Sequence, residues 1–384
     1  MSLETLVEIS RSYGKNPDYV LAGGGNTSWK NNETLYVKGS GMPLSDVEPA
    51  SFVKMDRNAL SRIWEKRYPE SSVERESAVL ADMMAARMPG EEAKRPSVET
   101  LLHGILPFSY VVHLHPALVN GLTCSRRGGD AVRELFAEDV IWITISNPGY
   151  VLSQKVKTAM DAFSVKKGKT PSIIFLQNHG VFVGADNIDA INEQYSRIMS
   201  KIGGVIKRHP DFSDEKRISG KEFADRDSAS LQILTELAGT AAFMRSAEIL
   251  SLVKNRASFA PVSSAFTPDH IVYAGSNPLF VEIADREEKL SEAAYWKEAL
   301  GKAWKEHAQK IGRNPKTVAV QGIGVFGAGP TEKAANLALE LFKNAVKVAV
   351  YAESFGGPQF MTQEQIDFIN SWEVERFRTS VSAK

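Results

Sequence analysis

Cysteine is nearly absent from this sequence, since Cys124 is the single one among 384 residues. A disulfide within the chain and a cysteine-based metal site are therefore excluded. No apolar run approaches the roughly 20 residues that a membrane-spanning helix needs. The first residues carry Glu4 and Glu8 instead of the basic and apolar regions of a signal peptide. We therefore expect a cytoplasmic protein.

Net charge is also absent, because 46 Lys and Arg residues balance 46 Asp and Glu residues. With a net charge of zero, the protein as a whole has no positive electrostatic field that would attract nucleic acid or an anionic membrane. Neither is therefore expected as a partner. Hydrophobic residues make up 43% of the chain, which is typical of a globular protein. At roughly 100–200 residues per domain, the length predicts two domains.

Strand-like and helix-like patterns alternate over the first 210 residues. The β-rich segments are 34–38, 51–55, 110–115, 140–145 and 172–177. Helical spacing occurs at 3–13, from about 71 to 88, from Pro96 onward and at 187–206. This alternation predicts an α/β fold, with a three-layer α/β/α domain over residues 1–210.

A polar stretch at 209–228 has no sustained apolar period and is the predicted linker. Beyond it, the sequence predicts a second, smaller α/β domain over residues 228–384. Its predicted helices lie at 230–254, 289–310, 331–345 and from Thr362, and its strands lie near 271–274, 279–283 and 317–321.

An internal similarity connects the two predicted domains. Residues 168–182 align without a gap with residues 312–326, at an offset of 144, and share Gly, Pro, Gln, Gly, Val and Phe. Such repetition suggests that the second domain is a degenerate copy of the first. Ile323 aligns with His179, and since isoleucine cannot ligate an ion, we predict a copy without metal.

Three of the seven histidines fall within 70 residues at strand or strand-end positions. His113 and His115 follow a β-rich segment, where residues i and i+2 project to one face and can reach one ion at roughly 2.0–2.1 Å. His179 follows the apolar run 173–176. An isolated His-x-His is more often part of a metal-free core, and Asn-His-Gly is an ordinary turn. The three together favour a metal site.

Other motifs are individually ambiguous. Glu99 is expected on the helix that Pro96 opens, where the helix dipole favours an acidic residue anyway. His103, one turn later, is expected to be structural. The glycine-rich segments 23–28 and 39–41 fit either phosphate nests or plain β-turns. The Gly-x-Gly-x-x-Gly pattern at 322–327 resembles a dinucleotide fingerprint, but we interpret it as an inherited turn and expect no nucleotide cofactor.

Taken in order, these motifs resemble the class II, zinc-dependent aldolase/adducin-head family, which includes fuculose-phosphate and rhamnulose-phosphate aldolases. The resemblance covers about residues 1–208 and rests on Gly25-Asn26-Thr27-Ser28, Lys38-Gly39-Ser40-Gly41, Pro96-Ser97-Val98-Glu99, His113-Leu114-His115-Pro116 and Asn178-His179-Gly180. The later part, with residues 266–270 and 324–327, looks like the middle of long rhamnulose-phosphate aldolase/dehydrogenase fusions. No dehydrogenase domain is expected within these residues.

The resemblance implies a role for each matching residue. Zn²⁺, or another divalent transition metal, would be held by His113, His115 and His179, with Glu99 as the acid/base. The residues implied in substrate and phosphate binding are Gly25, Asn26, Ser40, Gly41 and Ser97. Val98 departs from the second serine that the phosphate aldolases often have. Tyr150 is the nearest match to a tyrosine that they use.

The implied activity is metal-dependent retro-aldol cleavage of a ketose 1-phosphate through an enediolate that the metal stabilises, with a small sugar phosphate as substrate and a homo-oligomer as the assembly. Alternatives stay open. A sugar-phosphate epimerase would use the same site, and a dehydrogenase would need a dinucleotide on the loop at 322–327. A non-catalytic binding module of the adducin-head type would be expected to lack the three histidines.

Overall fold

The computed structural model describes residues 2–219, 225–283 and 293–372. The chain divides into two compact units, residues 1–206 and residues 207–384. Among the described residues, no helix is both long enough and apolar enough to cross a membrane.

The first unit is built on a sheet of seven strands. They lie in the order β3-β2-β1-β4-β7-β6-β5, and every neighbouring pair is antiparallel except β5 and β6. The strands are β1 (Asn26–Lys30), β2 (Thr34–Lys38), β3 (Phe52–Asp56), β4 (Tyr110–Leu114), β5 (Ile141–Ile143), β6 (Ile173–Leu176) and β7 (Gly180–Ala185).

Helices cover both faces of this sheet. They are α1 (Leu3–Gly14), α2 (Arg57–Arg62), α3 (Ser72–Ala85), α4 (Thr100–Ile105), α5 (Ala117–Thr123), α6 (Gly128–Phe136), α7 (Tyr150–Lys167) and α8 (Ile188–Gly203). On one face α7 packs through Leu152 into a cluster with Ile174 of β6. On the other, Phe136 of α6 contacts Phe175 at 5.1 Å between ring centroids. The α/β prediction with a three-layer arrangement is confirmed.

The second unit has a smaller sheet of five strands in the order β10-β11-β12-β9-β8. The strands are β8 (Lys216–Ser219), β9 (Thr240–Arg245), β10 (Leu279–Val281), β11 (Thr317–Val320) and β12 (Gly324–Gly329). Its helices are α9 (Asp225–Ala238), α10 (Ala247–Leu252), α11 (Arg256–Phe259), α12 (Ala293–Ile311), α13 (Glu332–Ala352) and α14 (Gln363–Ser371).

This sheet is also packed on both faces. Leu234 of α9 and Trp296 of α12 join Val318 and Phe326 in one buried cluster. On the opposite face α13 lies so close to β12 that a Cβ on Gly327 would be 2.0 Å from the backbone oxygen of Ala335. The predicted second α/β domain is therefore present, and it has a small hydrophobic core of its own.

The internal similarity corresponds to matching structure. Strands β6 and β7 and the start of α8 correspond to β11, β12 and the start of α13, each at the offset of 144. Ile173 pairs with Val183 in the first hairpin, and Thr317 pairs with Gly327 in the second, again at that offset. In both units a parallel strand flanks the first hairpin strand and an antiparallel strand flanks the second.

The shared glutamine has the same role in both hairpins. Gln177 Oε1 accepts a hydrogen bond from the backbone N–H of Ile145 at 2.9 Å, and Gln321 Oε1 accepts one from Ile283 at 3.1 Å. Each glutamine therefore ties the chain beyond the parallel neighbouring strand to the hairpin turn, which explains why this residue is identical in the two copies.

The Gly-x-Gly-x-x-Gly pattern at 322–327 does not open a helix. Gly322 lies in the hairpin turn with φ of 72°, whereas Gly324 and Gly327 lie within antiparallel β12. A dinucleotide fingerprint needs a strand, a tight turn and then a helix whose N-terminus faces the pyrophosphate. The three glycines here instead allow a turn and close backbone packing, in line with an inherited turn.

Three local predictions in the second unit are wrong. The predicted helix 230–254 is interrupted at Gly239, whose φ is 93°, by the strand β9. The predicted strand 271–274 is a π-helical turn, His270–Ala274. The predicted linker contributes β8, an edge strand that pairs with β9. The start of the predicted helix 289–310 lies outside the described residues.

Candidate metal centre

Three strands and one turn bring the histidines together. His113 lies in β4, which pairs with β1 on one side and β7 on the other, and His115 follows just past the strand end. His179 occupies the turn between β6 and β7, directly after Asn178, whose φ is 55°. Because β4 and β7 are neighbours, the strand end and the turn meet at one edge of the sheet.

The three imidazoles form a compact cluster. The Nε2 atoms of His113 and His115 are 2.9 Å apart, and the ring centroid of His179 lies 5.0 Å from that of His113 and 5.1 Å from that of His115. One ring nitrogen from each histidine lies within 4.8 Å of the others. This arrangement is consistent with a metal site.

The protonation of His113 is fixed by its neighbours. Its Nδ1–H donates to the backbone oxygen of Val181 at 3.0 Å, which leaves the lone pair on Nε2 facing the cluster. The ring stacks on Phe182, with centroids 3.9 Å apart, and is fully buried. Burial lowers the pKa of His113 well below its usual value, which favours the neutral ring that a metal ligand must present.

Gly180 has no side chain, and this makes room for the histidine rings. A Cβ at this position would lie 2.5 Å from the backbone oxygen of Leu114 and 2.7 Å from a ring carbon of His115. We expect Gly180→Ala to displace His115, weaken metal retention and destabilise the first unit by about 1–3 kcal/mol, the usual cost of overpacking. Urea unfolding and metal content measure the two effects.

Gly104→Ala is the matched control, because a Cβ on Gly104 would meet nothing within 4 Å. In the helix α4, alanine is expected to leave stability unchanged or raise it by about 0.5–1 kcal/mol. Equal stability and metal content in the two variants would show that the close approach at Gly180 has no consequence.

Glu99 stands at the N-cap of α4 rather than inside a helix opened by Pro96, so the predicted helix start is wrong. The preceding residues are held extended instead. Pro96 forms a bridge with Gly39, and the Ser97 N–H donates to the Lys38 backbone oxygen at 3.1 Å. The helix therefore begins only at Thr100, whose hydroxyl donates to the Ser97 oxygen at 2.6 Å.

The Glu99 carboxylate points into the histidine cluster. Its Oε1 lies 3.4 Å from Nε2 of both His113 and His179, is buried, and has no hydrogen-bond partner within the described part of the chain. Its Oε2 accepts from Asn26 Nδ2 at 2.6 Å. Burial would raise the pKa of Glu99, but the imidazoles and the Asn26 amide outweigh it and lower that pKa to about 2.

A buried chain of hydrogen bonds holds Glu99 from behind. Asn26 Oδ1 accepts from Nε2–H of His103, and Nδ1 of His103 accepts from the Ser28 hydroxyl at 2.6 Å. Burial lowers the pKa of His103 to about 3, so this ring is neutral. Lys30 Nζ donates to the His103 backbone oxygen at 2.8 Å. The contributions of Ser28 and Lys30 were not predicted from the sequence.

The residues predicted to bind phosphate fall into two places. Gly25 lies beside the cluster, since a Cβ on it would be 2.9 Å from the His113 oxygen, and its φ is 66°. Ser40 and Gly41 form a loop that the Gly39–Pro96 bridge holds against Ser97, with Ser40 N–H donating to the Arg95 oxygen at 2.9 Å. Ser97 Oγ in turn accepts from the Glu99 N–H at 3.2 Å.

Tyr150 lies in an aromatic and aliphatic cluster of the first unit. Its ring stacks on Trp64, with centroids 5.7 Å apart, and meets Tyr68 edge-on at 5.1 Å. Its backbone N–H donates to the buried carboxylate of Glu76 at 2.9 Å. These contacts give Tyr150 a packing role at the start of α7.

Two family models match this chain. The class II aldolase and adducin N-terminal domain matches residues 4–197, and the aldolase class II second domain matches residues 228–378. The chain therefore belongs to the class II aldolase/adducin family.

The chain is 21% identical over 416 residues to the uncharacterized oxidoreductase YuxG of Bacillus subtilis (strain 168), an alignment that covers 99% of this chain and 58% of that protein. It thus spans 58% of the length of this relative.

Solved structures also resemble about half of the chain. The N-terminal class II aldolase domain of a conserved protein from Thermoplasma acidophilum is 27% identical, with a TM-score of 0.45, and the match covers 53% of this chain and 93% of that one. L-fuculose-1-phosphate aldolase from Thermus thermophilus is 14% identical, with a TM-score of 0.33, over 53% of this chain and 92% of that one.

Proposed function

We propose that this protein is a divalent-metal-dependent aldolase that reversibly cleaves a ketose 1-phosphate between two carbons. The observation that carries the proposal is Glu99 Oε1, a buried carboxylate oxygen 3.4 Å from both His113 and His179 that lacks a hydrogen-bond donor among the described residues. A buried charge with an unsatisfied oxygen is costly unless a cation or substrate completes it.

The residues present fit a metal. The hydrogen bond to Val181 directs the Nε2 lone pair of His113 toward the cluster, and His115 and His179 each add one ring nitrogen. Three imidazoles with an open position are typical of catalytic zinc, and other divalent transition metals accept the same donors. Such an ion would supply Lewis-acid stabilisation of the negative charge that develops on the substrate oxygens.

Glu99 is proposed as the acid/base. In the synthetic direction its carboxylate removes a proton from the carbon that attacks the aldehyde, and in the cleavage direction it returns that proton to the enediolate carbon. Asn26 orients the carboxylate by donating to Oε2, and His103 orients Asn26 in turn. This arrangement leaves Oε1 free to face the reacting carbon.

Ser40, Gly41 and Ser97 are proposed to bind the substrate phosphate. The bridge between Gly39 and Pro96 brings the Ser40–Gly41 loop next to Ser97, which lies two positions before Glu99 in the sequence. Gly41 has a φ of 85°. Gly25 and Asn26 would border the substrate beside His113. Because the Asn26 amide already binds Glu99 and His103, we assign it first to the orientation of the carboxylate.

We propose the domain limits 1–210 and 228–384, with a different role for each domain. His113 pairs with Phe182, and the corresponding strand pair in the second unit joins Phe243 to Phe326. Phe243 therefore stands at the position of His113, and Ile323 at that of His179. We propose that the second domain is a degenerate copy that binds no metal at this position.

Incubation of the purified full chain with a panel of ketose 1-phosphates, in the presence of Zn²⁺, Mn²⁺ or Co²⁺, tests the activity. We expect release of dihydroxyacetone phosphate and an aldehyde, and an enzyme-coupled reduction of the dihydroxyacetone phosphate measures that release. Chelation of the metal should abolish it. Inversion of a hydroxyl group without fragments would replace this proposal with an epimerase. Saturable binding of the same sugars without turnover would replace it with a binding module.

A further inference from the structure

The second unit contains a cavity of its own, with a volume of about 250 Å³. It lies between the segment after the π-helical turn, the end of α12, the start of β11 and the end of α14. Three basic side chains line it, those of His307, Arg313 and Lys316, and none of the described residues in its wall is acidic.

Two of these cations are positioned without being neutralised. The Arg313 guanidinium donates through Nη2 to the backbone oxygen of Asn370 at 2.7 Å, and Lys316 Nζ donates to the backbone oxygen of Val272. Carbonyl oxygens fix the direction of each side chain but carry no net charge. Within the ranges that the structure describes, neither cation forms a salt bridge, so both keep donors for another partner.

This arrangement is costly in the absence of an anion. Lys316 is only partly exposed, and burying an ammonium group without a counter-charge is unfavourable. Burial, followed by repulsion from Arg313, lowers the pKa of Lys316 to about 8. A bound anion would offset both effects, because it would pair with the two cations at once.

The wall of the cavity is held by buried polar contacts. The π-helical turn His270–Ala274 is fixed by His270, whose Nε2 hydrogen-bonds Asn344 Oδ1 at 3.1 Å, and by Thr317, whose hydroxyl donates to the Ala274 oxygen at 2.9 Å. Gly275 then turns the chain with a φ of 85°, and its Cβ position is 3.6 Å from Cβ of Lys316. The backbone that places the cations is therefore preorganised.

We propose that this cavity binds the phosphate group of a small phosphorylated metabolite. A guanidinium fork and a lysine ammonium are the donors that proteins use most for phosphate, the first through paired hydrogen bonds and the second as a point charge. The volume lies just below the roughly 300–1,000 Å³ of drug-sized ligand pockets, so it suits a small ligand rather than a nucleotide. Asn277 offers an amide for the hydroxyl groups of the ligand.

Histidine NMR tests the proposal on the full-length chain, because only seven histidines are present and His307 lines the cavity. Protein labelled at histidine ring carbons is titrated with glycerol 1-phosphate, inorganic phosphate and glycerol. We expect a saturable shift of the His307 signal with glycerol 1-phosphate but not with glycerol. Arg313→Gln should weaken the apparent affinity at least tenfold.

Lys305→Gln is the matched control, since it removes one positive charge from an exposed position of the same helix as His307 without lining the cavity. It should leave the apparent affinity within twofold of the parent. Lys316→Met should abolish the His307 shift, and if this variant of a half-buried position does not fold, Arg313→Gln carries the comparison alone.

Four results would overturn the proposal. The first is that glycerol 1-phosphate shifts the His307 signal only at concentrations at which glycerol does so too. The second is that it shifts only the signals of His113, His115 and His179, and the third is that Arg313→Gln binds it as tightly as the parent. A response to inorganic phosphate without one to glycerol 1-phosphate would exclude a phosphorylated metabolite. None of these outcomes depends on aldolase activity, because every readout is ligand binding at a histidine ring rather than turnover.

Discussion

The double variant His113→Ala/His115→Ala is expected to lose nearly all of the divalent metal that the parent carries, about one ion per chain. Two of the three nitrogens that lie within 4.8 Å of one another disappear, and His179 alone cannot hold an ion through dialysis. The single variants His113→Ala and His179→Ala should each lose most of the metal. Elemental analysis after dialysis, together with titration of Zn²⁺ against a chromophoric chelator, measures the loss.

His209→Ala serves as the control, because His209 is exposed and contacts Tyr351 in the second unit. It should retain the full metal content of the parent. Full occupancy in His113→Ala/His115→Ala, with a folded protein by circular dichroism, would show that the metal lies elsewhere. Equal losses in His209→Ala would point to general destabilisation instead of ligand removal.

Glu99→Gln is expected to keep its metal and to lose about 10²- to 10⁴-fold in turnover of ketose phosphates, the usual contribution of a positioned acid/base. The amide retains an oxygen that can accept from Asn26, so the side chain stays in place, but it cannot exchange a proton at the substrate carbon. Since the metal and the phosphate loop are unchanged, kcat should fall much more than KM rises. Steady-state kinetics and metal analysis on the same preparation separate the two effects.

Glu91→Gln is the matched control for this variant. Glu91 is also buried, but it pairs with Lys94 rather than with the histidine cluster. Its turnover should stay within a few fold of the parent. If Glu99→Gln cleaves ketose phosphates at the parental rate, the acid/base assignment is wrong. A fall in metal content that matches the fall in kcat would make Glu99 a ligand rather than a proton carrier.

The histidine cluster was accessible from the sequence because local rules govern it. Residues i and i+2 of a strand share a face, which pairs His113 with His115, and Asn178-His179-Gly180 marks a turn at a strand end. The structure brings these three together as expected. Glu99 was different, because an acidic residue near a helix start has an ordinary explanation, and only the family resemblance singled it out.

The chain of hydrogen bonds behind Glu99 was beyond local reasoning. Asn26 and Glu99 are 73 positions apart, and His103 reaches back 77 positions to Asn26. These contacts exist because β1 lies between β2 and β4 in the sheet, which no periodicity of the sequence reveals. The sequence marked His103 as structural, but it did not show which residue His103 supports.

Two misassigned segments of the second unit have separate physical causes. Residues 240–245 form a strand buried on both faces, so apolar residues do not alternate with polar ones, and the run extends the helical pattern before it. Gly239 was the available signal, since a glycine with positive φ ends the helix. At 271–274 the β-branched residues favoured a strand, but the buried contacts of His270 with Thr267 and Asn344 hold a helical turn.

The paired hairpins have a consequence for how a metal would be taken up. The turn that carries His179 in the first unit has the same strand register and the same glutamine contact in the second unit, where Ile323 stands at that position. This turn therefore folds without any ligand to a metal. In a zinc finger the free energy of metal binding is spent on ordering the chain. Here that free energy would go into affinity, and an emptied site should refill without refolding of the protein.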